Sequence, residues 1–400
     1  MSELYNLPDG WEWKKLGNIG KISTGKTPPK ANKEFYKNGT IRFIKPPNLQ
    51  NSYNIQKVES DEFVTEDGAK KSTLLPKNTL MVCCIGSLGK FAISTENVIT
   101  NQQINSIIFY EDIINYKYGY YYGFKLEKLL NEVANEAVVK IVNKTIFSNL
   151  DIPLPPLEEQ KRIVAKLDIL FEKIDKVIAL HQKNCEEADI FMASVLNDAF
   201  VELEEKYEKK QLNEIIKIIG GGTPSKANKE YWENGTIKWA TVRDMNVEKI
   251  IKTELSITEI GLKNSSSNII PKNGIVIATR VGLGKVCYLE DDTAINQDLK
   301  GLISKKADSL NIRYLFNFFK NIEKHILSNG TGATVKGVKL EFIKELEIPL
   351  PPLKTQQKVV ASLDEISNKM KKIKNLQKEK MQSLKELKAS ILDKAFKGKL

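Results

Sequence analysis

The chain contains one stretch twice, and this duplication constrains its fold more than any other feature. A proline-rich segment at Leu150–Gln160 recurs at Leu346–Gln356, 196 positions later, and a long heptad pattern follows each copy. Apolar residues spaced alternately four and three positions apart keep one side of a helix apolar, as in a coiled coil. The sequence therefore predicts two matched long helices that pair with each other.

Polar residues interrupt the two predicted seams at equivalent places. The first seam consists of Ile163, Leu167, Leu170, Ile174, Val177, His181, Asn184, Ala188, Phe191 and Val195. The second seam consists of Val359, Leu363, Ile366, Met370, Ile373, Gln377, Lys380, Leu384, Leu387 and Ile391. Antiparallel pairing would bring the polar residues together. We expect this layer, His181 and Asn184 with Gln377 and Lys380, to fix the helix register at some cost in stability. The alternative is a layer that merely touches solvent or a partner.

The duplication extends through the rest of the chain. Gly25–Ile41 recurs as Gly221–Ile237 with 12 identities in 17 positions. A repeat this long forms domains with their own cores rather than a short-period solenoid. The sequence predicts an α+β fold, in which globular mixed α/β domains alternate with two long helices paired as an antiparallel coiled coil. The predicted domains span 1–157 and 204–353, and the predicted helices span 158–203 and 354–400.

Short apolar runs bounded by Gly, Asn and Pro residues predict the strands of each domain. The predicted strands are 41–44, 79–85 and 106–109 in the first domain, and 237–240, 274–279 and 299–303 in the second. Amphipathic patterns predict helices at Tyr116–Glu136 and Ile312–Ser328.

Charge is distributed unevenly along a chain whose net charge is +11. The two predicted domains carry +3 and +4, whereas the first predicted long helix carries −4 and the second +8. Opposite charges favour pairing of the first helix with the second over pairing of either with its own copy. The basic surplus also points to a polyanionic partner, although a modest excess of lysine is common in soluble proteins.

Cysteine and histidine spacing argues against metal sites and disulfides. The four cysteines form no Cys-x-x-Cys or Cys/His pattern, and the chain has only two histidines. This usage fits a reducing cytoplasm. The N-terminus lacks the pattern of a signal peptide, and no apolar run approaches the roughly 18 residues of a membrane span. We therefore expect a cytoplasmic protein with neither a metal site nor a membrane segment.

Catalytic motifs find little support in the sequence. Lys45–Asn48 faintly resembles the Asn/Asp-Pro-Pro-aromatic clamp of amino-methyltransferases, but it differs at both ends and indicates a proline turn. The pairs Gly89-Lys90 and Gly284-Lys285 lack the preceding glycine and the following Ser/Thr of a P-loop. No Ser/His or Cys/His arrangement for nucleophilic catalysis is visible. The sequence predicts a binding protein rather than an enzyme.

Polar, basic loops recur at matching places of both domains and supply the candidate binding residues. Arginine pairs bidentately with guanine, and asparagine or glutamine with adenine, so these residue types suit base reading. The candidates in the first domain are Lys26, Lys30, Arg42, Lys45, Asn48, Gln50, Ser87, Lys90, Gln102 and Gln103. Those in the second are Lys226, Lys238, Arg243, Asp244, Asn246, Arg280, Lys285 and Gln297. The loops differ between the domains while the surrounding sequence matches, as expected for two readers of different DNA sequences.

With these motifs the chain resembles the DNA-specificity (S) subunits of type I restriction–modification enzymes. The resemblance spans the whole chain and rests on the opening Leu7–Gly17, both Thr-Pro loops, the two Ile-Pro-Leu-Pro-Pro-Leu segments with their helices, and the closing Ser390–Leu400. It implies two target-recognition domains, each reading one half of a bipartite asymmetric DNA site. It also implies that the helices set the spacing and dock methyltransferase subunits, and that the chain itself is not catalytic and holds no cofactor.

The resemblance further implies the partners. Two methyltransferase (M) subunits would bind S-adenosylmethionine, two motor-nuclease (R) subunits would use ATP and Mg²⁺, and the chain itself would bind double-stranded DNA. Because the domains carry only small positive charges, we expect the partner subunits to supply many phosphate contacts. The family often has an arginine in the strand-to-glycine loop. Arg280 fits this pattern and Ile85 does not, so we expect the two domains to differ in specificity.

Other functions stay open on the sequence. A sequence-specific DNA-binding protein that works alone would purify without a methyltransferase partner. A coiled-coil scaffold that binds proteins would leave no two-patch footprint on DNA. A self-contained methyltransferase would transfer labelled methyl groups by itself, and the sequence shows no pocket for a flipped adenine.

Overall fold

The computed structural model of the chain describes residues 5–134, 140–306, 309–332 and 337–400, which form two compact units. The first unit contains the described residues up to His181 together with Glu379–Leu400, and the second contains the described residues of Gln182–Lys378. The division passes through both long helices, so each unit contains one globular domain and a segment of each helix. The four-part division into domains and whole helices stays a prediction.

The first unit is built from two small sheets and the helices that pack on them. Its strands are β1 (Glu12–Lys15), β2 (Gly20–Thr24), β3 (Ile41–Ile44), β4 (Phe63–Val64), β5 (Leu80–Cys83), β6 (Phe91–Ile93), β7 (Val98–Thr100), β8 (Ile104–Phe109) and β9 (Asp151–Leu154). Its shorter helices are α1 (Glu66–Ala69), α2 (Tyr116–Val133) and α3 (Lys144–Ser148). The strand orders are β2-β8-β5-β6, which is antiparallel, and β4-β3-β7, in which β3 and β7 are parallel; β1 pairs with β9.

Strand β5 lies at the centre of the first unit and is buried on both faces. Because side chains alternate along a strand, its residues enter two different cores. Leu80 and Val82 pack in the core that α2 covers, whereas Met81 and Cys83 pack with Ile44 and other residues of the second sheet. An uninterrupted apolar run is the sequence signature of a strand covered on both sides.

The second unit repeats this arrangement. Its strands are β10 (Lys209–Gln211), β11 (Ile216–Gly220), β12 (Ile237–Ala240), β13 (Lys249–Ile250), β14 (Leu255–Ile257), β15 (Asn268–Ile270), β16 (Ile275–Ala278), β17 (Val286–Leu289), β18 (Thr293–Ile295), β19 (Leu299–Ser304) and β20 (Glu347–Pro349). The strand orders are β11-β19-β16-β17-β13 and β14-β12-β18-β15, and β10 pairs with β20. The two long helices are α4 (Leu157–Lys206) and α10 (Leu353–Phe396), and the shorter helices are α5 (Leu212–Ile215), α6 (Glu259–Lys263), α7 (Ile312–Asn321), α8 (Glu323–Ser328) and α9 (Leu340–Glu345).

The predicted strands and the mixed α+β fold with two long paired helices are confirmed. Each of the six predicted strands overlaps an observed one, and 41–44 and 237–240 match at both ends. The helix predicted at Tyr116–Glu136 is observed from Tyr116 to Val133, and its predicted end at Glu136 lies outside the described residues. The helix predicted at Ile312–Ser328 is observed as two, because Ile322 interrupts it.

The long helices run antiparallel within each unit. The end of α10 packs on the globular domain of the first unit, and the end of α4 packs on that of the second. In the first unit, the ring of Phe396 at the end of α10 packs edge-on against Tyr118 and Tyr122 of α2. In the second unit, Phe200 near the end of α4 packs against α7, tilted against Tyr314 and edge-on against Phe318. These two phenylalanines are equivalent in the repeat and are almost completely buried.

The predicted seam is wrong by one residue at every second position. On α4 the inward residues after Ile163 and Leu167 are Phe171, Ile174, Ile178 and His181 in the first unit, and Cys185, Ala188, Met192 and Val195 in the second. On α10 they are Leu363, Ser367, Met370, Lys374 and Gln377 in the second unit, and Met381, Leu384, Lys388 and Ile391 in the first. Val177, Phe191, Ile373 and Leu387 are exposed, as are Asn184 and Lys380. On α10 two of the inward residues that the predicted seam lacks, Lys374 and Lys388, are charged. The register role of the polar layer stays a prediction.

Candidate nucleic-acid interface

Two loops at one edge of each unit are joined by the same side-chain hydrogen bond. In the first unit, the Thr27 hydroxyl donates to the side-chain oxygen of Gln102 at 2.8 Å. In the second, the Thr223 hydroxyl donates to Gln297 at 2.5 Å. The glycine two positions before each threonine permits this approach, because a Cβ there would lie 2.2–2.3 Å from a carbonyl oxygen of the partner loop. The Thr-Pro loop and the Asn-Gln loop therefore form one surface in each unit.

The Asn-Gln loop also holds the ends of the two strands that carry the other candidates. In the first unit, the Asn101 N–H donates to the Ile44 carbonyl at 3.2 Å, and the Cys84 N–H donates to the Gln103 carbonyl at 2.8 Å. The equivalent bonds in the second unit run from Asn296 to Ala240 at 3.1 Å and from Thr279 to Asp298 at 3.0 Å. All four candidate loops of a unit thus begin or end at the same edge.

The loop after β3, and its equivalent after β12, is a short 3-10 turn closed by its own side chain. The Asn48 side-chain oxygen accepts the N–H of Lys45 at 2.8 Å, and Asp244 accepts the N–H of Thr241 at the same distance. In the second unit the capping is reciprocal, since the Thr241 hydroxyl accepts the N–H of Arg243 at 3.2 Å. Asn48 and Asp244 therefore shape the loop in which they lie.

The fourth loop, Ser87–Lys90, is anchored to the loop after β3. The Asn51 side chain accepts the N–H of Phe91 at 2.8 Å and donates to the carbonyl of Gly89 at 3.4 Å. Gly89 has a φ of +79°, and a Cβ there would lie 2.3 Å from the backbone of Glu127 in α2. Only glycine fits this close approach. In the second unit, the Lys285 ammonium donates to the Asn246 side chain at 2.7 Å and links the corresponding loops.

The candidate side chains divide into an exposed group and a partly buried group. The exposed ones are Lys26, Lys30, Gln50, Ser87, Lys90 and Gln102 in the first unit, and Lys226, Arg243, Asn246, Arg280 and Gln297 in the second. The partly buried ones are Arg42, Lys45, Asn48, Gln103, Lys238, Asp244 and Lys285. Their contacts with DNA stay predictions.

Arg42 of β3 and Lys238 of β12 lie at equivalent positions of the repeat, and both are held by carboxylates. The Arg42 guanidinium lies 2.6 Å from Glu96 and 3.1 Å from Glu59, and its side chain is 15% exposed. This hydrogen bond from Arg42 lowers the pKa of Glu96. Lys238 lies 2.5 Å from Asp291. These cations stabilise the strands they belong to, and their charges are neutralised within the unit.

Arg280 and Arg243 are the freer arginines. The Arg280 side chain is 58% exposed and lies 3.8 Å from Asp298, and that of Arg243 is 82% exposed and lies 3.6 Å from Glu254. Burial lowers the pKa of the neighbouring Lys300, and the charge of Arg280 acts in the same direction. The second unit therefore presents guanidinium groups at this edge, where the first presents Ile85 and Pro47.

The sequence prediction missed two exposed lysines at the same edge. Lys140 lies beside the fourth loop, since its carbonyl accepts the N–H of Gly86 at 3.2 Å, and Val142 donates to the carbonyl of Cys84 at 2.9 Å. In the second unit, Lys339 follows Val338, which makes the equivalent bond to the carbonyl of Thr279. The sequence signal for Lys140 was the Val-Lys-x-Val pattern, which occurs at 139–142 and again at 335–338, and Lys339 directly follows the second copy.

The described residues offer no metal-binding constellation. Within the described ranges, no group of His, Cys, Asp and Glu is arranged to hold a metal ion. Burial raises the pKa of the Cys84 and Cys287 thiols to about 12, which disfavours the reactive thiolate. Among the described helices, none combines the length and apolar character needed to cross a membrane.

Known proteins resemble the chain along its length. Residues 8–184 and 204–381 each match the family described as "Type I restriction modification DNA specificity domain". The chain is 30% identical over 227 residues to the type I restriction enzyme EcoR124I/EcoR124II specificity subunit of Escherichia coli, covering 54% of this chain and about half (56%) of that relative. It is 25% identical over 432 residues to the MjaVIII specificity subunit of Methanocaldococcus jannaschii, covering 98% of this chain and 94% of that protein.

Solved structures share the fold. A chain described in connection with complex assembly and conformational transition of the type I R-M system has a TM-score of 0.75 at 22% identity, covering 99% of this chain and 100% of that chain. The HsdS subunit from Thermoanaerobacter tengcongensis has a TM-score of 0.55 at 22% identity, covering 99% of both chains. Since the family matches span most of the sequence, the chain belongs to the family of DNA-specificity subunits of type I restriction–modification systems.

Proposed function

We propose that each unit reads one half of a bipartite, asymmetric site in double-stranded DNA. One observation carries this proposal: equivalent hydrogen bonds hold the candidate loops of both units, while the side chains at matching positions differ. Arg280 occupies the position equivalent to Ile85, Arg243 that of Pro47, and Asn246 that of Gln50. A shared scaffold that exposes different donors and acceptors suits two different base sequences.

Exposed lysines beside these loops suit the phosphate backbone. Lys26, Lys30 and Lys226 lie on the Thr-Pro loops, and Lys140 and Lys339 lie beside the strand-to-glycine loops. Phosphate contacts position a protein on DNA without reading its sequence. Because the net charge of each predicted domain is small, the affinity for DNA would come in large part from partner subunits.

The long helices are proposed to dock the methyltransferase subunits and to set the spacing between the half-sites. The first unit exposes Val177, Leu180 and Leu387, and the second exposes the equivalent Ile373, Leu376 and Phe191. Apolar side chains that stay exposed on helices mark a surface for a protein partner. Their recurrence at equivalent positions supports one copy of the same partner for each unit.

The proposed assembly contains two M subunits and two R subunits. S-adenosylmethionine would bind to the M subunits, and ATP with Mg²⁺ would serve the R subunits. Residues 1–157 and 204–353 would be the target-recognition domains, and 158–203 and 354–400 the spacer helices. The complex would act in the cytoplasm, where the DNA of a bacterial or archaeal cell is found.

Methylome sequencing tests the proposal. Expression of the chain with its cognate M subunits should produce one split, adenine-methylated motif that disappears when the chain is omitted. Arg280→Ala should relax one half of that motif, whereas Lys263→Ala, which changes an exposed lysine on α6, should relax neither. Methylation that persists without the chain, or DNA binding by the chain alone as tight as by the complex, would contradict the proposed role.

A further inference from the structure

Lys388 of α10 is a buried charge within the first unit. The residue is 3% exposed, and its ammonium lies 2.5 Å from the carboxylate of Asp175 on α4. The same ammonium lies 4.5 Å from the ring centroid of Tyr53 and 5.4 Å from that of Phe171. A buried ammonium is stable only where a carboxylate and other electrostatic contacts replace water. The contacts of Lys388 therefore hold these partners in a defined arrangement.

These partners lead to the loop after β3. The Asn54 side chain donates to the other carboxylate oxygen of Asp175 at 3.2 Å. The ring of Tyr53 stacks on Phe124 of α2, with centroids 4.2 Å apart and planes 12° apart. The hydroxyl of Tyr120, also on α2, donates to the carbonyl of Ser52. Three helices thus hold the segment Ser52–Asn54, and Lys388 is the contribution of α10.

The same loop also reaches the edge of the first unit at which the candidate DNA-binding loops lie. Gln50 is exposed there, and Asn51 is hydrogen-bonded to the backbone of Gly89 and Phe91 around the fourth loop. A displacement of Ser52–Asn54 would therefore move Gln50 and the Ser87–Lys90 loop together. The influence of Lys388 on Gln50 and the Ser87–Lys90 loop passes through Tyr53 and Asp175.

The second unit lacks this arrangement. Met192 stands at the position equivalent to Lys388, and Lys371 stands at the position equivalent to Asp175. Lys371 pairs with Glu248 of the corresponding loop at 2.7 Å, and both side chains are about half exposed. Exposed ion pairs of this kind contribute little. The buried cation from the opposite helix is a feature of the first unit.

We infer that Lys388 is a positioning residue for DNA recognition by the first unit: it holds the loop after β3, through Asp175 and Tyr53, in the geometry that base reading requires. The inference rests on the proposed reading of one half-site by each unit. Lys388→Met removes the cation while keeping an apolar chain of similar length, as Met192 does in the second unit. The loop then loses its contact with α10, and discrimination falls in one half of the site only.

The test uses the full chain with its cognate M subunits. Methylation is measured at sites that carry one substituted base in either half of the motif. In Lys388→Met, methylation at sites substituted in one half should rise roughly tenfold, the scale of a typical single-mismatch penalty, while the other half stays strict. Lys388→Arg, which keeps the cation, should restore discrimination. Lys371→Met and Lys385→Met, which remove exposed lysines from the same helix, should behave like the wild type.

A one-sided relaxation with an unchanged melting temperature would support a positioning role. Unchanged strictness in Lys388→Met, or equal relaxation of both halves, would overturn it, because the contacts of Lys388 lie within the first unit. If the Lys388→Met complex does not assemble, Tyr53→Leu serves instead, since it keeps the ion pair and removes the link to the loop; strict recognition by that variant overturns the inference. A wild-type complex that methylates no split site would instead overturn the proposed function.

Discussion

A buried glutamine at the start of α4 offers a measure of how tightly the domain of the first unit is joined to its long helix. Gln160 is completely buried. Its side-chain oxygen accepts the N–H of Asn115 at 2.8 Å, and its nitrogen donates to the carbonyls of Pro155 at 2.8 Å and Ile113 at 3.1 Å. Asn115 is the N-cap of α2, so one side chain joins the starts of two helices. We predict that Gln160→Met destabilises the first unit.

The size of the effect follows from these three hydrogen bonds. Methionine has a similar length but no hydrogen-bonding amide, so one N–H and two carbonyls of the backbone stay buried without a partner. Each such group costs about 1–3 kcal/mol, or about 3–9 kcal/mol for three. Burying the apolar methionine side chain offsets about 1–2 kcal/mol of this. The free energy of unfolding should therefore fall by about 1–8 kcal/mol.

Urea unfolding followed by tryptophan fluorescence measures this change. The four tryptophans are Trp11 and Trp13 in the first unit and Trp232 and Trp239 in the second, so replacing the latter two by phenylalanine makes the signal report the first unit. The matched control is Gln182→Met, which alters an exposed glutamine that contacts only Glu186 of its own helix among the described contacts. A fall below about 1 kcal/mol for Gln160→Met would refute the reasoning, because it would mean that water or relaxation satisfies the buried groups.

Three further predictions concern the arginines, acid stability and the thiols. Arg42→Ala should lower the melting temperature of the first unit, because it removes the ion pairs of a mostly buried guanidinium with Glu96 and Glu59. Arg280→Ala should leave the melting temperature unchanged and weaken specific DNA binding by the complex by about 1–3 kcal/mol, measured by fluorescence anisotropy. The pKa of Glu96 is lowered from 4.5 by its hydrogen bond from Arg42, so its stabilising contribution is present above about pH 4.5 and is lost as pH falls through the lowered pKa. Glu96→Gln should therefore flatten the fall in unfolding free energy below that pH. Because burial raises the pKa of Cys84 and Cys287 to about 12, iodoacetamide at pH 8 should modify neither thiol in the folded chain, and mass spectrometry before and after unfolding checks this.

The fold was largely predictable because the chain repeats itself. A strand such as β5 leaves a run of apolar residues, and finding a comparable run at the equivalent position, β16, removed the ambiguity of a short pattern. Gln160 and its equivalent Gln356 each hydrogen-bond to the start of a domain helix and to a proline carbonyl. The sequence shows that these two residues are identical but not what Gln160 contacts. Its partners Ile113 and Asn115 lie more than 40 residues away in sequence, and only the folded chain brings them into contact.

The candidate loops were predictable, but the availability of their side chains was not. Scarcity and position made Arg42 and Arg280 equally attractive candidates. In the structure, Glu59 and Glu96 enclose Arg42, while Arg280 stays more than half exposed. Which carboxylate reaches which guanidinium depends on strand pairing, since Glu96 precedes β7 and Arg42 lies on β3, its parallel neighbour. A sequence pattern alone carries no such pairing.

The long helices show why an apolar pattern understates what fixes a register. In the first unit Lys388 of α10 pairs with Asp175 of α4, and in the second Lys374 pairs with Asp189 at 2.6 Å. On each helix the two charged residues are two heptads apart, in opposite order, as antiparallel pairing requires. A slip of one heptad in one direction would place Lys374 opposite Gln182 and Lys388 opposite Asp168, so one of the two ion pairs would be lost. A slip in the other direction would place both lysines opposite uncharged residues, and for the buried Lys388 an absent carboxylate is costly. The two ion pairs therefore oppose slips that the apolar seam alone would tolerate. Charged residues within the seam, and not only apolar ones, specify the register of the two helices.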